Sequence, residues 1–244
     1  MIRYEKTVAL WKKKKVYSNV ELAEALSGFR IDFAYHSGKI ENDRITYDAV
    51  RKIFEDESVF SYSGDLRTLF EMRNSKDAFA LFLSAFSTRR PLDERLIKDL
   101  QFQLTKNTYD RRRLELRERP GEYKKHDYVV GRAEVGAAPE EVEEEISELL
   151  SELVDFLKEK VLTVAAYFHA KFEEIHAFAD GNGRTGRLAM NYLLLLHDHP
   201  PVIIHEEDRE KYYAALEEWE EREELAPLIK FLKEQVAKTW AQLI

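Results

Sequence analysis

Between residues 176 and 187 the sequence reads His-Ala-Phe-Ala-Asp-Gly-Asn-Gly-Arg-Thr-Gly-Arg. Gly181, Gly183 and Gly186 fall together between two apolar stretches, where glycine weakens a helix unless a special backbone shape is needed. Successive glycines let backbone N–H groups converge on one concavity. The start of the following helix adds unpaired N–H groups and the positive end of its dipole, which makes an anion site. Arg184 and Arg187 stand three apart on that first turn and share a face. Two guanidinium forks beside such a loop suit a polyphosphate better than a lone carboxylate. Asp180 just before the loop is placed to hold a magnesium ion against phosphate oxygens. His176, at the end of the preceding helix, is of the type that takes a proton from a hydroxyl attacking phosphorus. Each piece has a commoner bland reading: a structural histidine, a turn, solvated arginines. Their order and spacing together favour the chemical one.

The elements that must position this loop are helical. The steps Leu162, Ala165, Ala166, His169, Phe172 and Ile175 mark a central helix over 157–175, and 188–196 is nearly all apolar. Further helices are expected at a capped start after Ser18, over 46–57, 66–86, 92–106, 140–154, 206–221 and 224–243. The stretch from Pro120 to Pro139 differs. It carries β-formers and three glycines without helical period, and reads as a short hairpin or flap resting on the rest, or as a surface loop. The expected fold is all-α with that small hairpin. A weak boundary at Ser87–Pro91 divides an N-terminal helical region, 1–90, from a core, 91–244.

Composition narrows the function. The chain has 244 residues, 44% of them hydrophobic, enough for one large domain or a core with an appendage. It has no cysteine, which removes disulfides, thiolate metal sites and a thiol nucleophile. A net charge of −8 argues against a general nucleic-acid binder, and Lys12 to Lys15 reads as a solvated helix face. No apolar run approaches the ~20 residues of a membrane span, and Met1 to Lys6 shows no secretory signal. The expectation is a cytoplasmic protein without a membrane.

Residues 176–187 closely resemble the Fic signature, H-P-F-x-(D/E)-G-N-G-R-x-x-R, with Ala177 in place of the proline. A looser similarity runs from about Pro91 to Leu243. The resemblance implies the Fic/Fido helical core and a protein adenylyltransferase (AMPylator). Such an enzyme moves AMP from magnesium-ATP to a Ser, Thr or Tyr hydroxyl of a protein target, itself included. His176 would be the base, Phe178 the loop's anchor, and Asp180 the magnesium ligand. Asn182, Gly183, Arg184, Gly186 and Arg187 would hold the nucleotide, with Arg187 nearest the γ-phosphate. Tyr128 and Val129 of the flap would clamp the target by strand addition. Tyr212 or Tyr213 would stack on the adenine. The related Doc-like kinases carry a lysine where this chain has Gly183, and phosphocholine transfer stays open on the motif alone.

A second resemblance lies upstream. Ser37-Gly-Lys-Ile-Glu-Asn42 is similar to the inhibitory signature (S/T)-x-x-x-E-(G/N), and its place before the core resembles the branch with an N-terminal inhibitory helix. Ser37 and Glu41, four apart, would share a helix face. Glu41 would pair with Arg187 and take the γ-phosphate's place. Relatives that use this glutamate to remove AMP keep a mainly hydrolytic enzyme open, and a non-catalytic nucleotide-binding regulator is the third reading. Some relatives pair through helical surfaces, so a homodimer is compatible. His197 and His199, with no third ligand at good spacing, and His169, on an apolar face, read as structural. Arg111 to Arg113 reads as a solvated face or a target contact.

Overall fold

The computed structural model describes residues 2–14, 16, 18–55, 62–130, 133–134, 136–153 and 160–243. In chain order the helices are α1 (Ile2–Lys13), α2 (Asn19–Ala25), α3 (Phe29–Glu41), α4 (Tyr47–Glu55), α5 (Leu66–Ser87), α6 (Glu94–Thr105) and α7 (Arg111–Glu115). A two-stranded hairpin follows, β1 (Val129–Val130) and β2 (Ala133–Glu134). Then come α8 (Val142–Glu152), α9 (Val161–Ile175), α10 (Asn182–Leu196), α11 (Arg209–Arg222) and α12 (Ala226–Thr239). The expected all-α architecture with a small hairpin is what forms. Lys15, the helix ends expected at 56–57, 154 and 157–159, and hairpin residues 131, 132 and 135 lie outside the described residues.

Local chemistry sets the helix starts. Ser18 and Glu21 form a reciprocal capping box at α2. Asp65, Asp93 and Asp110 each accept from first-turn amides of α5, α6 and α7. Pro91 stands just ahead of α6, where it cannot interrupt a helical ladder.

The centre of the molecule is α10, buried at every residue from Arg184 to Leu195, with Arg184, Thr185, Arg187 and Asn191 as its buried polar side chains. It lies beside α9, with α3, α5 and α6 also against it. The core does not stop at residues 90–91. Trp11 of α1 and Phe29 of α3 meet Trp240 near the C-terminus at ring-centroid separations of 5.0 and 5.7 Å. Phe82 of α5 meets Tyr192 of α10 at 5.6 Å. A smaller apolar cluster of Ile31, Ala34, Ile45, Val50, Phe54 and Met72 ties α3, α4 and α5 together. The N-terminal helices therefore share one core with α9, α10 and α12.

Beyond α10 the chain returns through Pro200 to Ile204, whose last three side chains are buried. Asn191 pins this return: its Nδ2 donates to the carbonyls of Arg187 (3.0 Å) and Val202 (2.9 Å), and its Oδ1 accepts from the Val202 N–H (2.6 Å). Buried backbone groups that lose a partner cost more than the bond itself contributes. We expect Asn191→Ala to lower the unfolding free energy by about 2–4 kcal/mol, read as a shifted urea midpoint with unchanged slope.

Candidate active site

The loop between α9 and α10 is built by two left-handed residues. His176 closes α9 at φ 50°, ψ 54°, a cap geometry uncommon for a residue other than glycine. Gly181 opens α10 at φ 83°. Between them Phe178 is fully buried between Tyr123 and Phe172, at ring-centroid distances of 5.4 and 6.3 Å. Asn182 closes the loop on itself: its Oδ1 accepts from the Phe178 N–H (2.9 Å) and its Nδ2 donates to the Phe178 carbonyl (2.7 Å). The Asn182 side chain is therefore engaged by the loop's own backbone. From outside, Gln101 of α6 donates to the Asp180 carbonyl (2.8 Å) and Arg113 of α7 to the Ala179 carbonyl (3.3 Å).

The flap rests against the same loop. The Lys124 N–H donates to the Ala177 carbonyl (2.9 Å) and the Ala137 N–H to the Ile175 carbonyl (3.0 Å). Gly136, at φ 84°, passes so close to Ile175 and His176 that a Cβ there would collide with both. In the hairpin Val129 faces Glu134 and Val130 faces Ala133 in antiparallel register. Tyr128 precedes β1 with its hydroxyl buried. The side chain of Val129 lies outside the described residues.

His176 is half-buried, and desolvation followed by the Lys124 charge pushes its pKa below the ordinary histidine value. At neutral pH the ring is uncharged and able to accept a proton. Asp180 carries opposing cations on its two oxygens. Arg184 Nη2 lies 2.9 Å from Oδ1, and Arg67 Nη2, from α5, lies 2.7 Å from Oδ2.

Arg187 is almost wholly buried. Its Nε donates to Ser37 Oγ (3.0 Å), and its Nη2 to the Ser37 carbonyl (2.9 Å) and to Glu41 Oε1 (2.7 Å). Burial opposes its charge, but Glu41 and the neighbouring Tyr212 and Glu173 outweigh this and hold it firmly cationic. Glu41 also abuts Gly183, where a Cβ would strike its carboxylate and Arg187 Nη1. So α3 delivers Ser37 and Glu41 onto the first turn of α10. The structure thus gathers His176, Asp180, Gly183, Arg184, Arg187, Ser37 and Glu41 around one loop.

Two expected residues sit differently from their companions. Gly186 faces α9, where a Cβ would meet Glu173 and His169 within 3.0 Å; it permits close helix packing instead of lining the loop mouth. Tyr212 is buried and bonds His169 Nε2 through its hydroxyl (2.7 Å), so it is not free to stack. Tyr213 is exposed and borders a cavity of about 400 Å³ with Ala170, Glu173, Leu216, Trp219 and Gly136. Sequence reasoning missed Arg67, Gln101, Lys124 and Glu173. Gln101 left a trace, a polar residue on the apolar face of α6; Arg67 left only an ordinary i, i+4 pair with Glu71. Among the described residues no three metal-ligating side chains cluster.

Residues 91–194 match the model of the Fic/DOC family. The chain is 47% identical over 75 residues to the protein adenylyltransferase Fic of Drosophila persimilis, and 44% identical over 75 residues to that of Aedes aegypti. In both cases the match covers 31% of this chain and 15% of the relative, so the chain spans a small part of these proteins' length. A Fic domain-containing signaling protein from Bacteroides thetaiotaomicron superposes with a TM-score of 0.81 at 21% identity, covering 99% of this chain and 95% of that one. Fic-1 from C. elegans does so at 0.79 and 21%, covering 99% and 70%. The fold, N-terminal helices included, is that of Fic-domain proteins. Among the described residues no helix is long and apolar enough to cross a membrane.

His169 offers a check on the electrostatics beneath the loop. Burial, then Arg187, lowers its pKa to about 3. A group whose folded pKa is depressed loses its stabilising contribution as pH falls below the unfolded value of about 6.5. Wild type should therefore lose unfolding free energy between pH 7 and pH 5 more steeply than His169→Gln. The expected difference is on the order of 1 kcal/mol per pH unit, read by urea denaturation at each pH.

Proposed function

We propose that this chain is an autoinhibited protein adenylyltransferase that transfers AMP from ATP to a hydroxyl side chain of a protein. The observation that carries this reading is the meeting of His176 with the amino end of α10, where Arg184 and Arg187 project, Arg187 being capped by Glu41. The relatives matched over 75 residues are named protein adenylyltransferases, which agrees with it.

The reaction would proceed by in-line attack of the target hydroxyl on the α-phosphorus. His176, uncharged at neutral pH, takes the hydroxyl proton. The backbone N–H groups of Asn182 and Gly183, with Arg184 and Arg187, hold the phosphates as charge moves toward the departing pyrophosphate. Asp180 fits magnesium by its donor chemistry: a hard carboxylate whose two oxygens already face cations, beside a loop where a bound nucleotide would supply phosphate oxygens to the ion. When bound, that ion neutralises phosphate charge. Tyr213 and the cavity beside it would take the base. The open edge of β1 would align the target segment by strand pairing. A cytoplasmic setting, which supplies ATP, suits the cysteine-free chain.

Glu41 is the brake in this reading. Its carboxylate occupies the guanidinium that the terminal phosphate needs and repels the phosphate itself. An enzyme whose competent state is a minor population shows affinity reduced by that fraction. Intact mass spectrometry after incubation with magnesium-ATP tests both parts. Glu41→Gly should gain AMP-sized adducts at least ten-fold faster than wild type, an estimate of about 1.4 kcal/mol or more released. Glu41→Gly/His176→Ala should gain none. Adducts on the double variant would remove His176 as the base; equal labelling of Glu41→Gly and wild type would remove the brake.

A further inference from the structure

The reading of Asp180 as the metal ligand leaves one contact unaccounted for. Arg67 reaches from α5 across 113 residues of sequence to place Nη2 2.7 Å from Asp180 Oδ2. Its Nε meanwhile donates to Glu71 Oε1 (3.0 Å). Glu71 is buried, and its other oxygen accepts from Asn42 Nδ2 (2.7 Å), the residue that closes α3 directly after Glu41. Asn42 Nδ2 also reaches Thr68 Oγ1 (3.0 Å). A continuous polar chain therefore runs from the end of the brake helix through Glu71 and Arg67 to Asp180.

The other cations near that carboxylate are placed differently. Arg184 holds Oδ1 from the buried first turn of α10, and Arg113 stands 3.9 Å from Oδ2 while bonded to Asp110 and the Ala179 carbonyl. Arg67 is the closest cation on Oδ2, and its side chain is nearly half exposed, so it can swing into solvent without unpacking the core. A guanidinium 2.7 Å from Oδ2 repels a divalent ion and takes a lone pair that the ion would use, so the two compete for that oxygen.

Resting on the metal reading of Asp180, we propose that Arg67 is a positioning residue that stands in for the divalent cation on Asp180 Oδ2 and must be displaced for the metal to bind. It thereby raises the metal concentration the site requires. Glu71 and Asn42 hold Arg67 in this place, so the end of α3 governs the metal position as well as the γ-phosphate position. The N-terminal helices act on the loop at two points, Glu41 on Arg187 and Arg67 on Asp180.

The test uses the full chain carrying Glu41→Gly and His176→Ala, so that nucleotide enters and is not consumed. Mn²⁺ is titrated in the presence of ATP, and protein-bound metal is read by water-proton relaxation enhancement. Adding Arg67→Gln should lower the half-saturating Mn²⁺ about two- to five-fold, the range expected on removing a partly exposed competing ion pair. Arg67→Lys keeps the charge without the fork that spans Glu71 and Asp180, and should fall between parent and Arg67→Gln. Asp180→Asn should abolish the protein-dependent enhancement. An unchanged or raised half-saturation in Arg67→Gln, with Asp180→Asn still abolishing the signal, overturns the proposal alone. Persistence of the signal in Asp180→Asn overturns the metal reading and the proposal with it.

Discussion

A guanidinium shut away from water must be given charge and hydrogen bonds by its surroundings, and Arg187 is such a group. It sits on a helix buried along nearly its whole length, so solvent cannot satisfy it. Ser37 and Glu41 do so instead. Removing one partner of a buried pair leaves an uncompensated charge, which is costly. The resting arrangement of α3 against α10 follows from that demand. An anionic ligand is the natural substitute for Glu41, because it meets the same need with the same sign of charge.

The loop obeys a related constraint at the level of the backbone. Its glycines and the left-handed His176 give up conformational ease to turn the amino end of α10 toward one point. The surroundings compensate: Asn182 bonds Phe178 twice, Phe178 is gripped by aromatic neighbours, and Gln101 and Arg113 fix the carbonyls at 179 and 180. Rigid placement of this kind is what phosphoryl chemistry asks of a protein, since positioning and charge supply most of the rate.

Much of this was legible from residues alone because the informative signals are local. Glycine spacing, two arginines three apart and the helical period of α9 and α10 all lie within about thirty residues. Ser37 and Glu41 were legible only through a resemblance, since nothing in their own chemistry says that α3 folds back onto α10. Arg67 was not legible at all: near the start of its helix with a glutamate four residues on, it reads as a solvated pair. Asn182 shows the opposite limit. Its residue type invited a ligand role, while its side chain is consumed in closing the loop. The flap was ambiguous because a hairpin of two-residue strands carries almost no period, and its position is set by amides meeting the α9 end and the loop.

The aromatic contact of Trp11 and Phe29 with Trp240 joins the first helices to the last. It follows that α3 is no detachable cap. Cutting it away would strip Phe29 and Phe33 from Phe79, and Phe29 from Trp240. In the proposed reading, folding and restraint share the same helices, and a permanently active form would come from changing a side chain, since deleting the segment would forfeit the fold.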